Sequence, residues 1–493
     1  MLAVLSGTKE LLAEGKSLTG QLWPGLHPDR EMATRHLSLL FRQPLCSRCR
    51  PAARANGQGP TPDPPVYPRP ISRKLGYSVL ISSGIVPMCE APTCLRLPAM
   101  LRSNVSTEDG RILTTHVGSL PRPVDLLDLL KARASGEAVE ASVLEESVRR
   151  AVVATVAEQR AHGIDVVTDG EMGKLGFFTY VSERLGGLEA RPGAAFPFTF
   201  AAEEKAFPEY YERYFAESMI GGTVASMQPL VCSGPLVYRG QEALRRDLDN
   251  LATAVGAEGR SRSFVPSIAP SGVGVNEYYG TEEEYFFAVA EAMSVEYRAI
   301  VDAGFQLQID DPFLTEIFSF TDLSEVDRRK RGEMYVEAIN HGLRGIPEEK
   351  VRFHTCYSIN EGPRIFDAAL ADTVDLVLAV NARYYSFEAA NPRHEHEYHV
   401  WDDADLPEGK VLMPGMVTHA SNIVEHPLLI AERLQRYADR VGRDRVMASA
   451  DCGFSSQATY RTEVHPTVMW AKFDAMAEGA RLASDRLWGR AGR

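Results

Sequence analysis

A chain of 493 residues carries 53 Lys+Arg against 66 Asp+Glu, a formal net charge of −13. Hydrophobic residues make up 44% and charged residues 24%, ordinary fractions for a soluble globular protein. The acidic balance argues against nucleic acid as a partner, and no run of ~18 apolar residues offers a membrane span. Seven Cys are too few for a disulfide scaffold, so a reducing, cytoplasmic setting is expected. Length alone suggests two or three domains, or one large barrel with additions.

Residues 1–100 differ from the rest. They hold 12 Lys+Arg and 6 Asp+Glu, so +6 sits here and −19 on the remainder. They also hold 13 of the 30 Pro and four of the seven Cys. Thr61–Pro70 reads TPDPPVYPRP, which favours extended chain. The stretch reads as a disordered extension or a mis-assigned start, with Met100 as the true first residue. A targeting presequence is disfavoured by early acidic residues. A zinc module on Cys46, Cys49, Cys89 and Cys94 has unusual spacing and no supporting His.

Along 101–493, nine apolar runs read as strands: Ile112–Val117, Ile164–Thr168, Leu230–Ser233, Phe264–Ile268, Phe305–Ile309, Val351–Cys356, Val374–Val380, Val411–Val417 and Val446–Ala450. Helical patterns alternate with them at Ala141–His162, Glu282–Gly304, Asp322–Gly342 and Pro427–Val441. Such alternation implies parallel strands with crossover helices, and eight units closing on themselves make an α/β fold, the (β/α)8 TIM barrel. Leu230–Ser233 is the surplus strand. It falls in residues 187–262, which are rich in Phe, Tyr and Gly and read as an insertion over the barrel mouth. An open doubly wound sheet would show G-x-G-x-x-G after its first strand, and none occurs there.

Barrel active sites lie at the C-terminal strand ends. Those ends carry His116, Gly118 and Ser119, then Asp169 and Glu171, Asp310 and Asp311, His354 and Cys356, Glu388, His419, and Asp451 and Cys452. His354 and Cys356 stand at i and i+2, on one face of a strand. Cys452 arrives on another strand end. Two thiolates and an imidazole form a typical zinc set. Taken singly, each of these residues is more simply a buried core residue. The run from Pro392 to His399, with His394, His396 and His399, is a rival source of ligands and reads more simply as a solvated loop.

The segments TTHVGSLPR (114–122), DGE (169–171), QIDDP (308–312), HTCYS (354–358) and DCGF (451–454) together resemble the cobalamin-independent methionine synthase family. The likeness is to its short members, which correspond to that enzyme's C-terminal barrel, over about residues 110–485. The resemblance implies Zn2+ held by His354, Cys356 and Cys452, with Glu388 as fourth ligand. It implies that Ser119, Glu171 and Asp310 hold the amino-acid part of a thiol substrate. It also implies that His419, in VTHASN (417–422), supplies a proton. The expected activity is zinc-dependent alkyl transfer to a thiol, methyl transfer to homocysteine giving methionine. The expected partners are a small-molecule thiol and an alkyl donor. An epoxyalkane:coenzyme M transferase-like opening of an epoxide is the first alternative, with Arg122 or Arg184 as candidate receptors for its anionic thiol. A metal-free uroporphyrinogen-decarboxylase-like barrel is the second.

Overall fold

A computed structural model describes residues 110–489, apart from 195, 197–199, 220–222, 226, 321 and 358–361. The extension read in residues 1–100, with its four Cys, lies outside the described residues.

Eight parallel segments close into a barrel. Six form one continuous sheet in the order Phe264–Ile268, Gln306–Asp310, Val351–His354, Tyr384–Phe387, Val411–Val417 and Ser449–Ala450. The other two complete the ring through short ladders. Thr114 bridges Ala448, and Val167 bridges Ser263, both in parallel. The Val166 amide donates to the Thr114 carbonyl at 3.1 Å, joining the first segment to the second. Two core layers follow from this closure. Leu113, Val166, Phe264, Tyr384, Val411, Met413 and Met447 fill the barrel interior. A larger cluster packs the outer strand faces against the helices.

Helix ends follow local chemistry. Glu282–Asp302 starts where the Thr281 side chain accepts from the Glu284 amide, with three acids in the first turn. Pro427–Val441 opens with Pro at its first position and stops at Gly442, whose φ of 96° suits glycine.

Two readings need correction. Val374–Val380 is not a strand: Leu370–Ala379 is a helix, and the sixth strand is Tyr384–Phe387. The run VDLVLAV is apolar because Leu376 and Val377 face the core from a short helix, and composition alone does not separate the two cases. The helix Gln241–Gly259 belongs to the barrel rather than the insertion. It buries Leu244, Leu248, Leu251 and Val255 and packs beside Ala141–Ala161.

The surplus strand pairs elsewhere. Leu230–Tyr238 runs antiparallel to Leu185–Ala190 and parallel to Val275–Asn276, in a separate three-stranded sheet. Between the first two lie the helices Ala201–Ala206 and Pro208–Tyr214. Phe200, Tyr211 and Tyr214 form their small core. No helix among the described residues is long and apolar enough to cross a membrane.

Candidate active site

His354 ends the fifth barrel strand, Cys356 follows two residues later, and Cys452 follows the eighth strand. Their ligand atoms all lie within 4.8 Å of one another. The His354 Nδ1 is 3.1 Å from the Ser386 hydroxyl on the neighbouring strand. Its Nε2 is buried with no hydrogen-bond partner. A buried imidazole nitrogen left without a partner, beside two thiols, is what a metal site demands and what an ordinary core would avoid. Burial, followed by the Arg352 charge, holds the His354 imidazole at about 3, hence neutral and able to offer a lone pair. The Cys452 thiol is pushed well above the usual range by its contact with Cys356 and then by burial. Cys452 therefore stays protonated unless a cation compensates it. The residues present fit a divalent, thiophilic metal such as Zn2+.

Glu388 lies just past the sixth strand but is not in this three-residue group. Its Oε1 accepts from the Tyr357 amide at 3.0 Å, and its Oε2 accepts from Asn391. Burial raises its carboxyl to about 7. Asp451 ties its loop to the Cys452 strand, accepting from the Ala389 and Ala390 amides at 2.8 Å each.

A cavity of about 140 Å3 opens above the cluster, and Ser119, Glu171 and Asp310 line it together with His354, Cys356 and Cys452. The structure thus brings six of the eight expected site residues onto one wall. Glu388 and His419 are not on it. Ser119 sits under Gly453, where an added Cβ would come within 2.0 Å of its Oγ. Only glycine permits that approach. Glu171 has a φ of 57°, unusual for a residue with a side chain. Its amide donates to Asp169 Oδ1 at 2.9 Å, which holds the turn. Asp310 accepts from Gln308 at 2.8 Å. Burial, reinforced by Glu171, pushes its carboxyl well above the ordinary range. A positive group arriving in the cavity would reverse that shift.

Lys174 was missed from the sequence. Its Nζ donates to Glu171 Oε1 at 2.9 Å and to the Pro266 carbonyl at 2.8 Å, and lies 4.2 Å from the Tyr180 ring centre. The available signal was its i+3 spacing from Glu171.

His419 follows the seventh strand and is buried. Burial, then the Arg393 charge, holds it at about 3, so its imidazole is neutral. Arg122 and Arg184 do not face an anion site. Arg122 donates to the carbonyls of Ser455, Glu171 and Lys174, each at 2.9 Å. Arg184 donates to Asp247 at 2.5 Å and to the Gly240 carbonyl. Nor is the His-rich run a solvated loop throughout. His394 is buried between Glu397, at 2.8 Å, and Asp367, at 3.2 Å, and stacks on Tyr357 at 3.7 Å.

No family model matches the chain. Among curated proteins it is similar to the methionine synthase of Sulfolobus acidocaldarius, 25% identical over 353 residues, covering 71% of this chain and 87% of that protein. It is likewise similar to the methionine synthase of Thermococcus kodakarensis, 25% identical over 346 residues, covering 69% and 86%. Among solved structures, the B12-independent methionine synthase of a Shewanella species in complex with selenomethionine superposes with a TM-score of 0.55 at 18% identity, covering 77% of this chain and 99% of that one. The putative B12-independent enzyme of Listeria monocytogenes gives 0.53 at 19%, covering 75% and 98%.

Proposed function

We propose that the chain is a member of the cobalamin-independent methionine synthase family and that it transfers a methyl group to the thiol of homocysteine, giving methionine. The observation that carries this reading is the buried His354–Cys356–Cys452 group opening onto the same cavity as Ser119, Glu171 and Asp310. Zinc held by His354, Cys356 and Cys452 would favour the thiolate form of the substrate thiol at neutral pH, where a free thiol is mostly protonated.

The protein's own groups do the rest. Ser386 orients the His354 ring through Nδ1, leaving the buried Nε2 without a hydrogen-bond partner and able to serve as a ligand. Glu171 and Asp310 form an acidic end of the cavity suited to an ammonium group. Lys174 offsets one of their charges, so the end is acidic without being doubly anionic. Glu388, beside Cys452 but hydrogen-bonded elsewhere, would complete the ligand set only by leaving Asn391. His419, held neutral, lies off the cavity wall and would donate an N–H to a leaving atom only by turning toward the cavity. Because Arg122 and Arg184 are occupied by carbonyls and Asp247, a sulfonate thiol has less support than an amino-acid thiol. The protein itself is expected in the cytoplasm.

The test is metal content together with turnover. Purified protein should hold about one zinc per chain and convert homocysteine to methionine when a methyl donor is supplied. Cys452→Ala should lose both zinc and activity while remaining folded by circular dichroism. A folded, unchelated preparation without zinc would sink the thiolate reading and leave the metal-free barrel in its place.

A further inference from the structure

Beneath the metal-binding group the barrel holds a buried cation. Arg352 stands two residues before His354 on the fifth strand, so the two side chains share a face. Asp310 pairs in register with His354, and Gln308 with Arg352, which sets Arg352 one layer below the site. It is 1% exposed. Its Nη1 donates to the Thr115 hydroxyl at 3.0 Å and its Nη2 to the His116 carbonyl at 2.9 Å. Its Nε has no hydrogen-bond partner. The guanidinium carbon lies 3.7 Å from the centre of the Phe264 ring, which belongs to the barrel interior. Among the described residues, no carboxylate stands within ion-pair distance of it.

A buried charge without a counter-ion is unfavourable. Two hydrogen bonds and one aromatic face offset part of that cost. Burial lowers the guanidinium to about 9 against the opposing influence of Tyr384 and Asp310, so the charge persists at neutral pH. Asp310 is itself held toward its neutral form by burial. A full counter-charge is therefore left for the ligand to bring. We infer that Arg352 is the fixed counter-charge for the thiol substrate in its ionised form, a specificity-determining residue that favours a thiolate over a neutral sulfur ligand; this rests on the zinc-dependent thiol-methylation reading above.

Counting charges gives the inference its direction. The thiolates of Cys356 and Cys452 balance the charge of Zn2+, and the His354 imidazole adds none, so the loaded group is neutral. Metal loading thus supplies Arg352 with no net counter-charge. A thiol that binds in its ionised form releases one proton to solvent and adds one negative charge above Arg352. The methylated thioether adds none. Coulomb attraction through the interior, screened far less than in water, therefore favours the thiol acceptor over the thioether product. Arg352 acts at a distance, from the layer below His354, and selects by charge rather than by shape.

The experiment is calorimetry at pH 7.5 on zinc-replete parent, Arg352→Met and Arg352→Lys, with homocysteine, methionine and 1-propanethiol as ligands. Homocysteine and methionine carry the same ammonium and carboxylate and differ at sulfur. Arg352→Met should keep the parent's zinc content, bind homocysteine about tenfold or more weakly, and bind methionine within about twofold of the parent. Arg352→Lys, which keeps the charge, should recover most of the homocysteine affinity. 1-Propanethiol, which has neither ammonium nor carboxylate, should weaken in step with homocysteine. A loss confined to homocysteine would mean that Arg352 acts through Asp310 on the ammonium, and overturns the inference. Equal losses for homocysteine and methionine, the mark of a merely structural role, overturn it as well. Unchanged homocysteine affinity at full zinc content overturns it and leaves methyl transfer to homocysteine standing, whereas a folded parent without zinc overturns both. If circular dichroism shows Arg352→Met to be unfolded, Arg352→Gln takes its place beside Arg352→Lys, and the same outcomes decide.

Discussion

Replacing Lys174 with Met tests how the acidic end of the cavity is held together. Lys174 and Glu171 are 2.9 Å apart, with side chains only 7% and 3% exposed. Burial works against the Lys174 charge, but Glu171 and then Asp169 outweigh it and hold the ammonium above its ordinary range. A group raised in the folded state contributes fully below its unfolded value, near ~10.4 for lysine, and loses its contribution only as pH rises through the folded value. Measurement at pH 7.5 therefore sees the whole effect. Lys174→Met leaves the Glu171 carboxylate buried next to Asp310 without its counter-charge. Breaking one side of a buried pair costs about 3–5 kcal/mol. Removing both charges costs much less, so Lys174→Met/Glu171→Gln should lie within about 2 kcal/mol of the parent. The assay is urea unfolding followed by circular dichroism, comparing midpoints at constant slope. A loss below about 1 kcal/mol in the single variant, the range of exposed pairs, would refute the reasoning. So would a double variant as unstable as the single one.

Three further outcomes follow from the site. Burial lowers the affinity of His394 for its proton, but hydrogen bonds to Asp367 and Glu397 outweigh it, and the imidazole stands at about 9. Its contribution is complete below about 6.5 and lost as pH rises through about 9. The stability advantage of the parent over His394→Gln should thus shrink by roughly 3 kcal/mol between those pH values; a difference independent of pH in denaturant titrations would rule this out. Gly453→Ala drives a methyl group into Ser119 Oγ, so the KM for the thiol should rise by about tenfold or more with zinc content intact. An unchanged KM would separate Ser119 from the substrate. Glu388→Gln should keep zinc in the chain but weaken it by about tenfold or more in chelator competition; unaltered affinity would mean that Glu388 serves only Tyr357 and Asn391.

What the sequence made legible was local. His354 and Cys356 are two residues apart at one strand end, and their i, i+2 spacing already pointed both to one face. Seven of the eight barrel segments stood out as apolar runs between turn residues. The eighth, Tyr384–Phe387, has only four residues and was masked by the apolar helix just before it. The limit of the insertion was misread although Leu244, Leu248, Leu251 and Val255 already marked a helical stripe. Composition drew attention to Phe, Tyr and Gly over a long window, and that window contained a barrel helix as well as the inserted sheet.

The two halves of the cavity differ in the same way. Its thiol side is built from strand ends, where barrel geometry converts sequence position directly into spatial position. Asp310 and His354 end their strands, and Ser119, Glu171, Cys356 and Cys452 each sit a residue or a few past one, so counting strands suffices to gather them. The aromatic side has no such ruler. Phe178, Phe200, Tyr214 and Glu463 meet because an inserted sheet and helices fold back onto the loop after the eighth strand, and the Tyr214–Glu463 contact spans 249 residues. A barrel can therefore keep its thiol chemistry while the insertion changes what approaches it. On this view donor choice should follow the inserted segment: variants at Phe200 or Tyr214 would alter which methyl donor is used before they alter zinc binding, and variants at Cys356 or Cys452 would do the reverse.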